Sequence, residues 1–143
     1  MNMNKLKILW VDDDVNNPEL RSDKDMLESI GCEITAVESV EKLMQIINNE
    51  EGQSCDFDII ILDLSMPTGS LELSETQFGT RTGKVLLDRL MNSRLKDVKK
   101  IVYTIVDAAE VREYCSNNSI PYWSKADYTS REFAKNVINS IQK

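Results

Sequence analysis

Four short stretches of this sequence carry residues that could do chemistry. "VDDD" places Asp12, Asp13 and Asp14 directly after the apolar run Ile8-Leu9-Trp10-Val11. "IIILDLSMP" places Asp63 at the end of a second apolar run, "IVYTIVD" places Thr104 near the end of a third, and "YWSKAD" places Lys125 after a fourth. Two unit charges about 4 Å apart repel by roughly 4 kcal/mol at an effective dielectric near 20. Three consecutive carboxylates therefore imply a positive partner or a fully solvated loop. Clustered carboxylates suit a hard cation with oxygen ligands, and Mg²⁺ uses one or two of them while keeping several waters. A carboxylate in such a site can attack phosphorus, and a hydroxyl and an ammonium can stabilise the transferred oxygens.

Composition narrows the alternatives. There is no histidine, which removes Ser-His and Cys-His catalysis and a His-ligated metal. The three cysteines, Cys32, Cys55 and Cys115, form no C-x-x-C pair. A disulfide framework or a zinc site is therefore not expected, and a reducing cytoplasm fits. The net charge of −7 over 143 residues argues against direct nucleic-acid binding through a basic face. No apolar run approaches the ~20 residues of a membrane span, and no secretory signal is visible.

The elements that must position these residues alternate regularly. Strands are predicted over 6–11, 32–37, 57–64, 99–106 and 120–124. Helices are predicted over 18–31, 39–52, 83–95, 108–118 and 130–142. Pro18 stands at a first helical position after a candidate cap, Asn17, and Gly31 is a stop; Ser39 is a second candidate cap, with Gly52 beyond that helix. Five β-α units imply one domain over 1–143, an α/β fold with a doubly wound five-stranded parallel sheet and helices on both faces. In such a sheet the strand ends share one edge, where ligands bind. The polar segment 68–82 is far longer than the roughly 2–6 residues usual for this connection, and reads as an inserted loop.

With the acidic pair, D-L-S-M-P, Thr and Lys in order at successive strand ends, the sequence resembles the receiver domain of two-component response regulators over nearly its whole length. The resemblance implies a flavodoxin-like sheet of order 2-1-3-4-5. It implies Asp63 as phosphoacceptor and Mg²⁺ held by the acidic pair, Asp12 and Asp13, with Asp13, Asp63 and the backbone carbonyl of Ser65 as ligands. Thr104 and Lys125 would stabilise the phosphoryl group, and Tyr122 matches the aromatic that turns inward on activation. The implied partners are a histidine kinase or phosphotransfer protein and a downstream protein docking on the face of the fourth helix, fifth strand and fifth helix. With the sequence stopping just after the fifth helix, a stand-alone receiver is expected.

Three features depart from the family: Ala126 replaces the proline after the lysine, Ile105 replaces a small residue after the hydroxyl, and the 68–82 segment is added. Taken singly, the residues have ordinary readings: Asp12 and Asp13 as a solvated turn, Asp63 as a strand-end acid, Thr104 as a β-branched strand residue, Lys125 as a surface lysine and Tyr122 as packing. Two other functions compete. A pseudo-receiver would keep the fold without phosphorylation. A haloacid-dehalogenase-like phosphatase would place its nucleophile on the first strand as D-x-D-x-(T/V), but Asn16 stands where Thr or Val belongs.

Overall fold

In the computed structural model, the structure describes residues 6–12, 18–48, 57–63, 82–93, 95–104 and 109–141. The elements alternate as β1 (Leu6–Val11), α1 (Pro18–Ser29), β2 (Cys32–Val37), α2 (Val40–Asn48), β3 (Ile59–Leu62), α3 (Thr82–Met91), β4 (Lys99–Thr104), α4 (Ala109–Asn117), β5 (Tyr122–Ser124) and α5 (Ser130–Ile141). The strands form one all-parallel sheet in the order β2-β1-β3-β4-β5. The expected fold class and strand order are therefore the observed ones.

Strand periodicity divides the core in two. Leu9, Val11, Ile60, Leu62 and Val102 point to one face and pack with Leu43, Leu87, Val111 and Cys115. Ile8, Trp10, Ile59, Ile61, Ile101 and Tyr103 point to the other and pack with Leu27, Phe133 and Val137. Each fully buried side chain of this size contributes about 1.5–3 kcal/mol. β1, β3 and β4 are thus covered on both faces and read as near-continuous apolar runs, as expected of a parallel sheet.

Several boundaries move for identifiable reasons. The third strand starts at Ile59, because Asp58 instead ties off β1: its carboxylate accepts from the Lys7 amide at 2.8 Å, and its own amide donates to the Lys7 carbonyl. α3 ends at Met91, short of the expected 95. Asn92 and Ser93 side chains take up the Asp88 and Leu90 carbonyls at 2.8 Å each, the competition with helical bonding that these residues offer. β5 starts at Tyr122, after Pro121, whose carbonyl still accepts from Val102. Ser39 caps α2, its hydroxyl accepting from the Lys42 amide at 3.2 Å. Gly31 stops α1 at φ 101°, a conformation that costs glycine little. α5 opens with a reciprocal box. Glu132 N–H donates to Thr129 Oγ1 at 3.1 Å, and Thr129 N–H donates to Glu132 Oε1 at 3.0 Å. The candidate cap Asn17, Gly52 and residues 68–81 of the expected loop lie outside the described residues; Thr82 already belongs to α3.

Candidate functional site

The site is built where β1 and β3 run side by side. Asp63 N–H donates to the Val11 carbonyl at 2.9 Å, and Asp12 N–H donates to the Val37 carbonyl at 2.9 Å. The ladder thus continues one residue past both strands and fixes two carboxylates next to each other at the carboxyl edge. Both are buried, at 0% and 1% exposure. Burying charge at this density is costly without a compensating cation.

Lys125 supplies one such charge. Its Nζ donates to Asp12 Oδ2 at 2.8 Å and to Asp63 Oδ2 at 3.5 Å, with its side chain 13% exposed. The lysine opens a 3₁₀ turn, Lys125–Asp127, directly after β5. Ser124 caps that turn, its hydroxyl accepting from the Ala126 amide at 3.2 Å, so the chain is turned inward just as β5 ends. Burial pulls the Lys125 ammonium down, but the hydrogen bond and charge of Asp12, then the charge and hydrogen bond of Asp63, outweigh it and hold it above the ordinary lysine value. Lys125 is therefore a firmly charged ammonium. The Lys125–Ala126 peptide is trans, as are all peptides among the described residues.

Thr104 closes the third side. Its hydroxyl donates to Asp63 Oδ1 at 2.6 Å, and its side chain is 1% exposed. Asp63 therefore receives a hydroxyl on one carboxylate oxygen and an ammonium on the other. Four of the expected residues, Asp12, Asp63, Thr104 and Lys125, come together. Tyr122 sits apart from them, half-buried against the core on the α4 side of the sheet. Asp13, Asp14, Ser65 and Ile105 lie outside the described residues.

The donor set fits a hard divalent cation. Asp12 and Asp63 bring two anionic oxygen donors to one edge, and Lys125 offers a single positive charge to both. Hard oxygen donors with excess negative charge are what Mg²⁺ takes from a protein. Among the described residues no group of three or more His, Cys, Asp or Glu is placed to hold a metal; the further carboxylate that the sequence puts here, Asp13, lies outside them.

Two supporting groups were not singled out by their residue types. Ser124 is one, and the pattern S-K-A-D marks it as a turn cap. Tyr103 is the other. Its hydroxyl donates to Asp23 Oδ2 at 3.0 Å, joining β4 to α1 beneath the site, with the two residues 1% and 5% exposed. The Tyr103 ring stacks on Phe133 at 4.0 Å between centroids and meets Trp10 edge-on at 6.3 Å.

No protein-family model matches the chain, and no curated protein matches it by sequence. Solved structures do. A response regulator receiver domain protein (CheY-like) from Methanospirillum hungatei JF-1 superposes with a TM-score of 0.70 at 21% identity, covering 97% of this chain and 95% of that one. The non-phosphorylated HemR receiver domain from Leptospira biflexa gives 0.70 at 19%, covering 97% and 96%. The phosphorylated cyanobacterial phytochrome response regulator RcpA gives 0.70 at 19%, covering 97% and 92%. The chain has the fold of a response-regulator receiver domain, over nearly its full length. Among the described residues no helix is long and apolar enough to cross a membrane.

Proposed function

We propose that this chain is a phosphoacceptor receiver domain, a signalling switch in which Asp63 takes a phosphoryl group from a histidine kinase or phosphotransfer protein. The observation that carries this reading is the dual partnership of Asp63. One oxygen accepts from Thr104 and the other from Lys125, so the carboxylate is oriented between a hydroxyl and an ammonium, the kinds of donor that stabilise phosphoryl oxygens.

In the transfer, a carboxylate oxygen of Asp63 attacks phosphorus as the donor's bond to phosphorus breaks, leaving a mixed anhydride on Asp63. Hydrolysis returns the carboxylate and inorganic phosphate. Thr104 and Lys125, which now donate to the carboxylate, pass their hydrogen bonds to the new phosphoryl oxygens. Mg²⁺ held by Asp12, Asp13, Asp63 and the Ser65 carbonyl would offset the charge that builds on those oxygens. Drawing Thr104 and Lys125 inward biases a two-state element. Tyr122 follows, and the face made by α4, β5 and α5 changes shape for a downstream protein.

Intact mass after incubation with acetyl phosphate and Mg²⁺ tests this directly. One added phosphoryl group, absent from Asp63→Asn and from a metal-free sample, is expected. Label taken up by Asp63→Asn at another residue would overturn the acceptor assignment. No uptake by the wild type under any donor, with Mg²⁺ still bound, would leave a pseudo-receiver.

A further inference from the structure

Tyr122 does not stand alone on its face of the sheet. It pairs in register with Val102 on β4, and Thr104 lies two residues further along the same face, paired with Ser124. A ring leaving its present place along that face therefore moves toward Thr104 and the site. α4 lies over this face, with Val111 and Cys115 packed into the core below it. From the outer side of α4, Arg112 reaches back so that its guanidinium carbon stands 4.7 Å from the centre of the Tyr122 ring. That is well inside the ~6 Å range of a cation–π contact. The ring is thus held between the core and a cation.

We propose that Arg112 is a clasp on Tyr122, a positioning residue whose hold sets how readily the site responds to phosphate. The proposal rests on the switch role given to Tyr122 above and adds what restrains it. The contact is made with the ring in its present, half-buried place. In the proposal it favours that state over one with the ring moved inward, and a group with differential affinity for one of two states is what shifts an equilibrium between them. An exposed contact of this kind changes the balance by about two- to fivefold. The restraint is tunable. An anionic group that draws the Arg112 side chain away from the ring would release the switch without touching Asp63.

Arg112 is an exposed residue of its helix, so its substitution removes no side chain from the buried core. The test uses Arg112→Ala, Arg112→Gln and Arg112→Lys with ¹³C-labelled tyrosine rings, the Tyr122 signal being assigned by Tyr122→Phe. In the unphosphorylated protein, Arg112→Ala and Arg112→Gln should move the Tyr122 ring signal part of the way toward its position in phosphorylated wild type. Uptake from acetyl phosphate should rise about two- to fivefold in both. Arg112→Lys, which keeps a cation over the ring, should stay near wild type. An unmoved ring signal, or a moved signal with unchanged uptake, overturns the clasp. Failure of the receiver reading itself is seen separately, as no phosphoryl uptake by the wild type.

Discussion

Thr104 Oγ1 lies 2.6 Å from Asp63 Oδ1, and the hydrogen bond it donates is buried on both sides. A hydrogen bond to a charged acceptor is worth about 1.5–3 kcal/mol. Thr104→Val keeps the β-branched shape that β4 needs but removes the donor. Phosphoryl uptake at Asp63 should fall about tenfold or more, measured by intact mass at fixed times with acetyl phosphate. Uptake at the wild-type rate would mean that Thr104 is only a strand residue.

If Mg²⁺ binds the assembled carboxylates as proposed, and not the unfolded chain, it should stabilise the fold. At a metal concentration tenfold above its Kd, the gain is about 1.4 kcal/mol. For a chain of this size that is a rise in Tm of roughly 3–5 °C. A chelator should reverse it, and Asp12→Asn or Asp13→Asn should remove it. A Tm shift that persists in Asp12→Asn would place the metal elsewhere.

Tyr103→Phe should destabilise the protein without disturbing the ring stack on Phe133. The substitution leaves the buried Asp23 carboxylate without its phenol donor, at a cost of about 1–3 kcal/mol. Asp23→Leu added to Tyr103→Phe should recover part of the loss, since replacing both partners by apolar groups removes the unsatisfied charge. Urea unfolding of the single and double variants measures the coupling. Strict additivity would show that the two groups are not energetically linked.

Stability should fall between pH 9 and pH 11. Burial pushes the Cys115 thiol from 9.0 up to about 11. The unfolded chain then releases this proton first as pH rises, so the contribution is complete below pH 9 and lost progressively through pH 11. Two pKa units correspond to about 2–3 kcal/mol. Tyr114 moves in the same direction, from 10.0 to about 12, through burial and then its hydrogen bond to Asp88. Lys100 moves the other way. Burial lowers it, Asp97 only partly opposing, and a lowered lysine makes stability rise with pH below its ordinary value. Cys115→Ala should therefore reduce the slope between pH 9 and 11 rather than abolish all pH dependence. An unchanged slope would mean that the thiol is not shifted.

The strands and the site residues at their ends were legible because each depends on short-range pattern. Ile59 to Leu62 is apolar without interruption, and Asp63 follows at once. Thr104 and Lys125 become meaningful when the alternation of elements puts all strand ends on one edge. What was illegible involves pairs with no common spacing. Tyr103 is one residue in an apolar run, and its partner Asp23 lies 80 positions earlier on a helix face. Arg112 reads as an ordinary exposed helix residue until α4 is laid over β5. The T-S-R-E pattern at 129–132 does carry the signal for the α5 cap, although apolar periodicity starts the helix at Ser130 without it. The shortened third helix is a local competition. Asn92 and Ser93 are weak helix residues, but only the observed carbonyl contacts decide where the helix stops.

The Lys125–Asp12 ion pair closes a separation of 113 positions in the chain. During synthesis at about 5–20 residues per second, the acidic end of β1 emerges long before the ammonium that meets it. Non-local pairing of this kind forms slowly, because loop closure precedes any gain from the contact. A growing chain has no completed site until its last strand docks on β4. Under the proposed function, phosphoryl chemistry would thereby be withheld from nascent and truncated forms, and only a finished sheet would answer a signal.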